Sequence, residues 1–208
     1  MLTMVDMDVG NLQSVSEAFR RVGAAVEITD TPAGIDAASV LILPGVGAFG
    51  DAMEQLRAKG LVEPIRTHAL GRRRPLLGIC LGMQLLADES EEHGLYPGLG
   101  LIRGRVLRLH PSQPGFRVPN MGWCDVADSR RRGWLRPGDA LYFAHSYHLA
   151  CSDRDDIVAT IEYSGSPVTV AVERNNIIGV QFHPEKSQGA GLNLLEALVS
   201  HLEEHAGC

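Results

Sequence analysis

Two runs of consecutive apolar residues, VLIL at positions 40–43 and PLLGI at 75–79, constrain the fold more than any other feature of the 208-residue sequence. A strand that is apolar on both faces has to be covered on both faces, as the central strands of parallel sheets are. The two runs therefore predict an α/β fold in which helices cover a mostly parallel sheet.

The rest of the first half follows the same rhythm. LTMVDM and AVEIT have the composition of strands, and the stretch NLQSVSEAFRRVG between them has the period of a helix. One face of that helix is apolar and consists of Leu12, Val15, Phe19 and Val22. Further helices are predicted at residues 51–59, at residues 61–70 and directly after Cys80.

The second half, from Leu101 onwards, changes to short strands separated by turns. They are GRVLRL, ALYFAHSYHL, IVATIEY, VTVAVE and NNIIGVQF, and we expect them to extend the same sheet in an antiparallel or mixed manner. A final helix is predicted at residues 190–205, with an apolar stripe of Leu192, Leu195, Leu198, Val199 and Leu202. Because no linker or repeat is apparent, residues 1–208 are expected to form a single α/β domain with a central mixed, mostly parallel sheet flanked by helices.

The charge balance disfavours two classes of partner. The chain has 19 Lys and Arg against 25 Asp and Glu, a net charge of −6, so neither nucleic acid nor an anionic membrane is expected as a main partner. Two arginine runs, Arg72 to Arg74 and Arg130 to Arg132, are interpreted as solvated loops. Neither a signal peptide nor an apolar run of membrane-spanning length is apparent, so a cytoplasmic location is expected.

The cysteines are widely separated and form no C-x-x-C pair; they are Cys80, Cys124, Cys151 and Cys208. Neither a zinc knuckle nor a disulfide framework is therefore indicated, and no metal or cofactor is predicted. A nucleophilic role for one of them stays open, and the surroundings of Cys80 favour it.

Cys80 lies in LLGICLGMQLL, residues 76–86, where a buried strand leads directly into a helix. Gly78 and Gly82 flank it in the G-x-nucleophile-x-G pattern of a nucleophile elbow, with cysteine in place of serine. Glycines on both sides relieve crowding at a sharp turn whose middle residue carries strained backbone angles. We expect Cys80 to project above the carboxyl edge of the sheet, where the positive end of the following helix favours its thiolate. A buried structural cysteine in a packing turn is the alternative.

The segment GVQFHPEKS, residues 179–187, supplies a candidate base. In an extended segment side chains i and i+2 point the same way, so His183 and Glu185 are expected to share a face, and Pro184 biases His183 towards that geometry. Glu185 would accept a hydrogen bond from one imidazole nitrogen while the other serves Cys80, as in a nucleophile-base-acid triad. For this pair alone, a histidine satisfied at a strand end is the alternative.

A third motif, PGVG at residues 44–47, follows the other buried strand. A backbone N–H here would face the elbow and form an oxyanion hole with the amide of Leu81, because the glycines on either side of Val46 allow that peptide unusual orientations. A lone P-G-x-G is otherwise an ordinary turn.

PGVGAFGDAM, GICLGMQLL, YFAHSYH and GVQFHPEKSQ, in this order, resemble the class I glutamine amidotransferases, a family with a Cys-His-Glu triad on an α/β sheet. More narrowly, GNLQSV, VPNMGW and HPEKSQ resemble the glutaminase subunits of imidazole glycerol phosphate synthases, which serve histidine biosynthesis. The resemblance spans nearly the whole chain. It implies that Cys80 attacks the side-chain amide of L-glutamine with His183 as base, while the amides of Val46 and Leu81 hold the oxyanion. It further implies glutamine-binding residues, namely Gly47, Gln84, Ser146 and Tyr147.

The resemblance also implies a partner. In the family the ammonia is consumed by a separate (β/α)8-barrel cyclase that forms a heterodimer with the glutaminase and makes imidazole glycerol phosphate and an aminoimidazole carboxamide ribonucleotide. Trp123, interpreted as lying in a loop beside Met121, and Lys186 are the candidates for the docking face. A core position is the alternative for Trp123.

Three positions depart from the family pattern. Asn120 replaces the usual histidine, Cys124 replaces the usual asparagine, and Met7-Asp8 replaces an aromatic-glycine pair. None of them removes a triad member. Glutaminase subunits of other synthases, in surface-sugar amidation or pyridoxal phosphate synthesis, are therefore alternatives, as is a non-catalytic regulatory module on the same fold.

Overall fold

The centre of the molecule is an eight-stranded sheet. The computed structural model describes residues 2–129 and 133–206. With the strands numbered along the chain, the spatial order in this sheet is β2 (Val26–Thr29), β1 (Leu2–Val5), β3 (Val40–Gly45), β4 (Leu76–Cys80), β14 (Ile177–Val180), β13 (Ser166–Arg174), β12 (Ile157–Tyr163) and β9 (Asp128–Ser129). Neighbours from β2 to β14 pair in parallel, and those from β14 to β9 pair antiparallel. The mixed, mostly parallel sheet is therefore confirmed.

Helices cover both faces of this sheet. They are α1 (Leu12–Arg21), α2 (Pro32–Ala37), α3 (Phe49–Ala58), α4 (Val62–Arg66), α5 (Leu81–Leu85) and α6 (Gln188–Ala206). One apolar cluster joins α1 and α6 to Val40 and Ile42 of β3, and a second joins α2 to α5 to Leu41 and Leu43 of the same strand. Alternate residues of β3 thus enter opposite cores, as the continuous run VLIL predicts.

Most predicted elements of the first half are confirmed, with shifted boundaries. Helix α1 begins where Asn11 caps it, its side chain accepting a hydrogen bond from the Ser14 amide at 3.4 Å. The helix predicted at 61–70 is wrong in part, because α4 is followed by a wider π-helical turn, Thr67–Gly71. In that turn the Asn176 side-chain amide donates to the Ala69 carbonyl at 2.9 Å, which satisfies a carbonyl that a continuing α-helix would use itself.

The expectation that every later strand extends the central sheet is wrong. Strands β12 to β14 do so, but β11 (Tyr147–Cys151), β7 (Gly104–Arg108), β5 (Glu89–Ser90) and β6 (Tyr96–Pro97) form a separate four-stranded sheet. Strand β10 (Ala140–His145) forms a two-stranded sheet with β8 (Asn120–Asp125). The run ALYFAHSYHL is broken at Ser146, because Phe143 packs in the core under α1 and α6 while Leu149 packs in the opposite core.

The final helix is confirmed and is slightly longer than predicted. Of the expected stripe, Leu195, Leu198 and Leu202 are buried, whereas Leu192 and Val199 are half-buried. Among the described residues, no helix is long and apolar enough to cross a membrane.

The two arginine runs have different outcomes. Arg72 to Arg74 form a loop, and the expectation of a solvated run is confirmed for Arg72 and Arg73, which are exposed. Arg74 is half-buried and donates to the Ala38 carbonyl at 2.8 Å, while Arg72 donates to the Asp36 carbonyl at 2.8 Å from the surface. The last carbonyls of a helix lack intrahelical donors. At the end of α2 the guanidinium groups of Arg72 and Arg74 donate to these carbonyls instead. Arg130 to Arg132 lie outside the described residues, as does Cys208.

The crossing of β3, β4 and α5 leaves no room for side chains at two glycines. A Cβ atom on Gly82 would lie 1.7 Å from the Leu43 carbonyl oxygen, and one on Gly78 would lie 2.6 Å from the carbonyl oxygen of Gly82. Real Cβ atoms do not approach backbone oxygens so closely, so the backbone has to be bare at both positions. These contacts fix how far α5 rises from the sheet after Cys80.

Gly82→Ala is expected to destabilise the fold by roughly 1–3 kcal/mol or more, because a methyl group is forced against backbone that cannot rotate away. The matched control is Gly189→Ala in the first turn of α6, where an added Cβ meets no atom within 4 Å. Urea unfolding followed by circular dichroism measures both variants. Equal midpoints for the two variants would show that the Leu43–Gly82 contact does not constrain the fold.

Candidate active site

Cys80 occupies a strained turn at the end of β4. Its backbone angles are φ 54° and ψ −108°, a conformation that side chains rarely adopt, and α5 begins at the next residue. Such a conformation costs on the order of 1–3 kcal/mol and persists only where the surroundings impose it. Here β3 and β14 hold β4 from both sides. The predicted elbow geometry is therefore confirmed.

His183 and Glu185 are in direct contact. The Nδ1 atom of His183 lies 2.8 Å from Oε1 of Glu185, and only 3% of each side chain is exposed. Three hydrogen bonds anchor the segment: the His183 amide donates to the Tyr142 carbonyl at 2.8 Å, Ser187 Oγ donates to the His183 carbonyl at 2.7 Å, and the Tyr142 amide donates to Ser187 Oγ at 2.9 Å. The imidazole is thus held by its neighbours in one orientation.

The predicted reason for this contact is wrong. His183 itself is extended, with φ −103° and ψ 96°, as the following proline requires. Pro184–Lys186, however, form a 3-10 turn and not a strand. Glu185 therefore reaches the imidazole through this turn and not along a shared face of an extended segment.

The charge state of His183 follows from its neighbours. Burial alone would lower its pKa, but hydrogen bonds and charge interactions with Cys80 and Glu185 outweigh burial and raise the pKa to about 9. An imidazolium is therefore stabilised between a sulfur and a carboxylate. This arrangement suits a residue that takes a proton from Cys80 and holds it.

Gln84 and Gln181 lie near Cys80 and are hydrogen-bonded to one another. Gln84 Nε2 donates to the Tyr147 carbonyl and to Gln181 Oε1, each at 2.9 Å, and Gln181 Nε2 lies 3.7 Å from Cys80 Sγ. Gln181 is fully buried. It was not among the predicted site residues, although the rule that i and i+2 share a face in an extended segment applies to Gln181 and His183.

The oxyanion candidates lie on either side of Cys80. Gly45 is the register partner of Cys80 across β3 and β4, so Val46 follows directly beside the elbow. Gly47 has a φ of 106°, which favours glycine, and Val46 is 39% exposed. Leu81 begins α5. The two candidate amides thus belong to the two chain segments that leave adjacent strands at the carboxyl edge of the sheet.

A cavity of about 310 Å³ opens at this edge. Its lining includes Cys80 and His183, both oxyanion candidates and every predicted glutamine-binding residue, namely Gly47, Gln84, Ser146 and Tyr147. Ser146 lies between β10 and β11, which belong to different sheets and send Phe143 and Leu149 into opposite cores. Glu92 also lines the cavity and was not predicted; its Oε2 accepts the Phe49 amide at 2.7 Å, at the start of α3.

The departures at Asn120 and Cys124 form one hydrogen-bonded network with His145, in which Asn120 and His145 are buried and Cys124 is half-buried. His145 Nδ1 lies 2.9 Å from the Tyr147 carbonyl, which can only accept, so Nδ1 carries the proton and Nε2 accepts from Asn120 Nδ2 at 3.1 Å. Cys124 Sγ donates to Asn120 Oδ1 at 3.7 Å. Burial lowers the pKa of His145 to about 4, so the ring is neutral. The two replacements therefore support the cavity wall together.

The third departure lies away from the cavity lining. Met7 is fully buried in the core under α2 to α5, and Asp8 pairs with Lys59 at 2.8 Å. Met7 therefore contributes to core packing, and Asp8 forms a surface ion pair.

A surface patch adjoins the cavity, and we call it the rim patch: Met121, Trp123, Tyr142 and Lys186, of which Met121 and Lys186 line the cavity and Tyr142 is half-buried. The prediction that Trp123 lies in a loop is wrong, because residues 120–125 pair with 140–145 and place Trp123 opposite Tyr142 in a two-stranded ribbon. Trp123 is 47% and Met121 66% exposed. Tyr142 connects two members of the patch. The Trp123 ring packs edge-on against its ring with the centroids 6.1 Å apart, and Lys186 Nζ lies 5.9 Å from its ring centroid.

The site therefore combines a thiol, an imidazole and a carboxylate with backbone amides beside a small cavity. Among the described residues, no group of three or more His, Cys, Asp or Glu side chains is arranged to hold a metal ion. The arrangement supports nucleophilic acyl transfer from a small substrate.

Known proteins share both sequence and fold with this chain. A profile of the family described as glutamine amidotransferase class-I matches residues 3–199. The chain is 47% identical over 209 residues to the protein named imidazole glycerol phosphate synthase subunit HisH of Moorella thermoacetica, covering 99% of this chain and 97% of that protein. It is 44% identical over 203 residues to the protein of the same name from Syntrophotalea carbinolica, covering 94% and 98%.

Two solved structures share the architecture. One, described as a crystal structure of glutamine amidotransferase, aligns with a TM-score of 0.75 at 20% identity over 99% of both chains. The structure of PurLQS from Thermotoga maritima aligns with a TM-score of 0.70 at 19% identity, over 97% of this chain and 98% of that chain. Sequence profile, curated relatives and fold agree, and the chain belongs to the class I glutamine amidotransferase family.

Proposed function

We propose that this chain is the glutaminase subunit of an imidazole glycerol phosphate synthase and that it hydrolyses L-glutamine through a cysteine thioester. The observation that carries the proposal is the buried contact of His183 with Glu185 at 2.8 Å, beside Cys80 and a cavity lined by the expected glutamine-binding residues. The names of the curated relatives support the assignment to this synthase, which serves histidine biosynthesis.

Acylation begins when the Cys80 thiol gives its proton to His183. The thiolate attacks the carboxamide carbon of glutamine, and the carbonyl oxygen becomes an oxyanion that accepts hydrogen bonds from the amides of Val46 and Leu81. The imidazolium then gives its proton to the amide nitrogen, the C–N bond breaks and ammonia leaves. Cys80 is left as a glutamyl thioester.

Water completes the cycle. His183, neutral again, accepts a proton from the water molecule that attacks the thioester carbonyl. The C–S bond breaks, glutamate is released and the proton returns to the sulfur. Glu185 accepts the Nδ1–H of the imidazole in both half-reactions, so the other ring nitrogen faces the reacting atoms and the imidazolium is stabilised.

Glutamine is held by the wall opposite the triad. Gly47 and Ser146 offer backbone and hydroxyl groups at the cavity lining, next to Tyr147. Gln84 has both of its N–H groups engaged, by the Tyr147 carbonyl and by Gln181, so Oε1 is the atom of its amide that remains for a ligand donor. Gln84 therefore recognises a donor group of glutamine, such as its α-ammonium.

Ammonia passes to a (β/α)8-barrel cyclase that forms a heterodimer with this chain. A shielded route is chemically necessary, because ammonia released into neutral water becomes ammonium, which has no free electron pair to attack an acceptor. The rim patch supports docking there: Lys186 and Met121 line the cavity, Trp123 is connected to Lys186 through the ring of Tyr142, and a half-exposed tryptophan is typical of interface hot spots. The cyclase then makes imidazole glycerol phosphate and an aminoimidazole carboxamide ribonucleotide.

The alternative assignments are less well supported. Glutaminase subunits of surface-sugar amidation or pyridoxal phosphate synthesis would share the triad. The two relatives compared above, however, match this chain over nearly their full lengths, and both are named as subunits of imidazole glycerol phosphate synthase. A non-catalytic module has no use for a strained cysteine beside a buried, paired histidine.

We also propose that residues 1–208 act as one amidotransferase domain in the cytoplasm. The profile match to residues 3–199 and the single central sheet support one domain. A reducing compartment suits the chemistry, because a nucleophilic thiol has to stay unoxidised.

Cys80→Ala is expected to abolish glutamine hydrolysis, because no atom remains to form the thioester. The variant, assembled with the cyclase, should still make imidazole glycerol phosphate from added ammonium salts at the rate of the wild-type assembly. Glutamate release and ammonium-dependent product formation are measured side by side. Undiminished glutaminase activity in the variant would refute the triad, whereas loss of both activities would point to failed assembly.

Glutamine turnover by the isolated chain is expected to rise by orders of magnitude when the cyclase and its acceptor ligand are added. The Val46 peptide lies between two glycines and can take two orientations, of which only one presents its N–H to the oxyanion. One missing oxyanion donor costs about 10²–10³ in turnover. Docking at the rim patch needs to favour the competent peptide by only a few kcal/mol, an ordinary coupling energy.

The measurement is steady-state glutamate release by the chain alone, with the cyclase, and with the cyclase and acceptor ligand together. Equal rates in all three conditions would reject the gating mechanism and favour a free-standing glutaminase.

A further inference from the structure

The polarity of the Gln84–Gln181 pair is determined by one backbone carbonyl. The Tyr147 carbonyl can only accept, so the atom of Gln84 at 2.9 Å from it has to be the amide nitrogen. The same nitrogen has a second N–H, and the atom of Gln181 at 2.9 Å from it has to be the acceptor oxygen. The remaining end of the Gln181 amide, its NH2 group, therefore lies 3.7 Å from Cys80 Sγ.

We propose that Gln181 is a further catalytic residue of the glutaminase reaction, which donates a hydrogen bond to the Cys80 sulfur and stabilises its thiolate. The inference rests on the proposed role of Cys80 as nucleophile. His183 and Gln181 then serve the sulfur in different ways. His183 exchanges a proton with it, whereas the amide of Gln181 stays neutral and offers a fixed dipole that interacts more strongly with a thiolate than with a thiol.

Burial strengthens this contact. Gln181 is fully buried and Gln84 is 5% exposed, so water does not compete for the amide groups. The backbone of Gln181 is also fixed, since its N–H donates to the Val170 carbonyl at 2.9 Å. The donor is thus set in place before a substrate arrives, which is the condition under which a dipole contributes most to stabilising a developing charge.

The same network links the sulfur to the substrate wall. Tyr147, whose carbonyl orients Gln84, lines the cavity together with Gln84 and Cys80. His145 donates to that same carbonyl, so the orientation of both glutamines depends on a buried chain that runs from β10 to the elbow. The hydrogen-bond donor at the sulfur is therefore connected through Gln84 to the cavity lining, although Gln181 itself is buried behind it.

Gln181→Glu tests the donor selectively. The carboxylate keeps an oxygen to accept the Gln84 N–H, but it replaces the NH2 group facing the sulfur with a second oxygen, which disfavours a neighbouring thiolate. Alkylation of Cys80 by iodoacetamide in the full-length chain, located by peptide mapping, is expected to slow by about 10- to 100-fold at neutral pH, in line with the loss of a hydrogen bond to a charged group. The pH at which alkylation reaches half of its maximal rate should rise.

Two further variants separate this effect from general damage. Gln13→Glu introduces the same charge change at an exposed position on α1 and should react like the wild type. Gln181→Met keeps the length of the side chain without a donor or a carboxylate and should slow alkylation in the same direction, so it serves as the test if Gln181→Glu does not fold. Far-ultraviolet circular dichroism verifies folding.

The outcomes distinguish the two proposals. Alkylation profiles of folded Gln181→Glu or Gln181→Met that coincide with the wild-type profile would overturn the role of Gln181 and leave the proposed function intact. Full glutaminase activity in Cys80→Ala would instead refute the cysteine thioester on which the proposed function rests.

Discussion

The contact between Gly82 and the Leu43 carbonyl is the constraint on which the rest of the site depends. Because Gly82 lacks a side chain, α5 can start against β3, and the chain has to turn within one residue, at Cys80, to pass from β4 into that helix. The positive φ of Cys80 is the consequence. Neighbouring strands then supply the other groups: β3 leads to Val46, and β14 leads to Gln181 and His183.

Electrostatic pairing is the second requirement of this site. His183 and Glu185 are buried almost completely, and burial of a charged group is costly unless a partner compensates for it. Among the described residues, Glu185 Oε2 is buried without a hydrogen-bond partner, so the carboxylate depends on the imidazole at its other oxygen. This dependence is mutual, since Glu185 contributes to the raised pKa of His183. The strain at Cys80 and the burial of this pair both cost free energy, a combination that is common at functional sites.

Local patterns predicted the parts of the structure that local physics determines. The apolar runs VLIL and PLLGI predicted central parallel strands, because a strand covered on both faces has to be apolar on both. The glycines around Cys80 predicted the elbow. Long-range packing determined the rest. Ser146 interrupts a continuous β-rich run because its two halves enter opposite cores, and the pairing of β8 with β10 converts an apparent loop around Trp123 into a strand. The turn at Glu185 and the orientation of Gln181 likewise depend on hydrogen bonds to residues distant in sequence.

The most direct test of the account is to trap the covalent intermediate. The chain, assembled with its cyclase and acceptor ligand, is mixed with glutamine, quenched in acid within milliseconds to seconds, digested and analysed by mass spectrometry. The account predicts a glutamyl adduct on the peptide that contains Cys80, which disappears as glutamine is exhausted. Turnover without any adduct on Cys80, or an adduct on Cys124 or Cys151 instead, would contradict it.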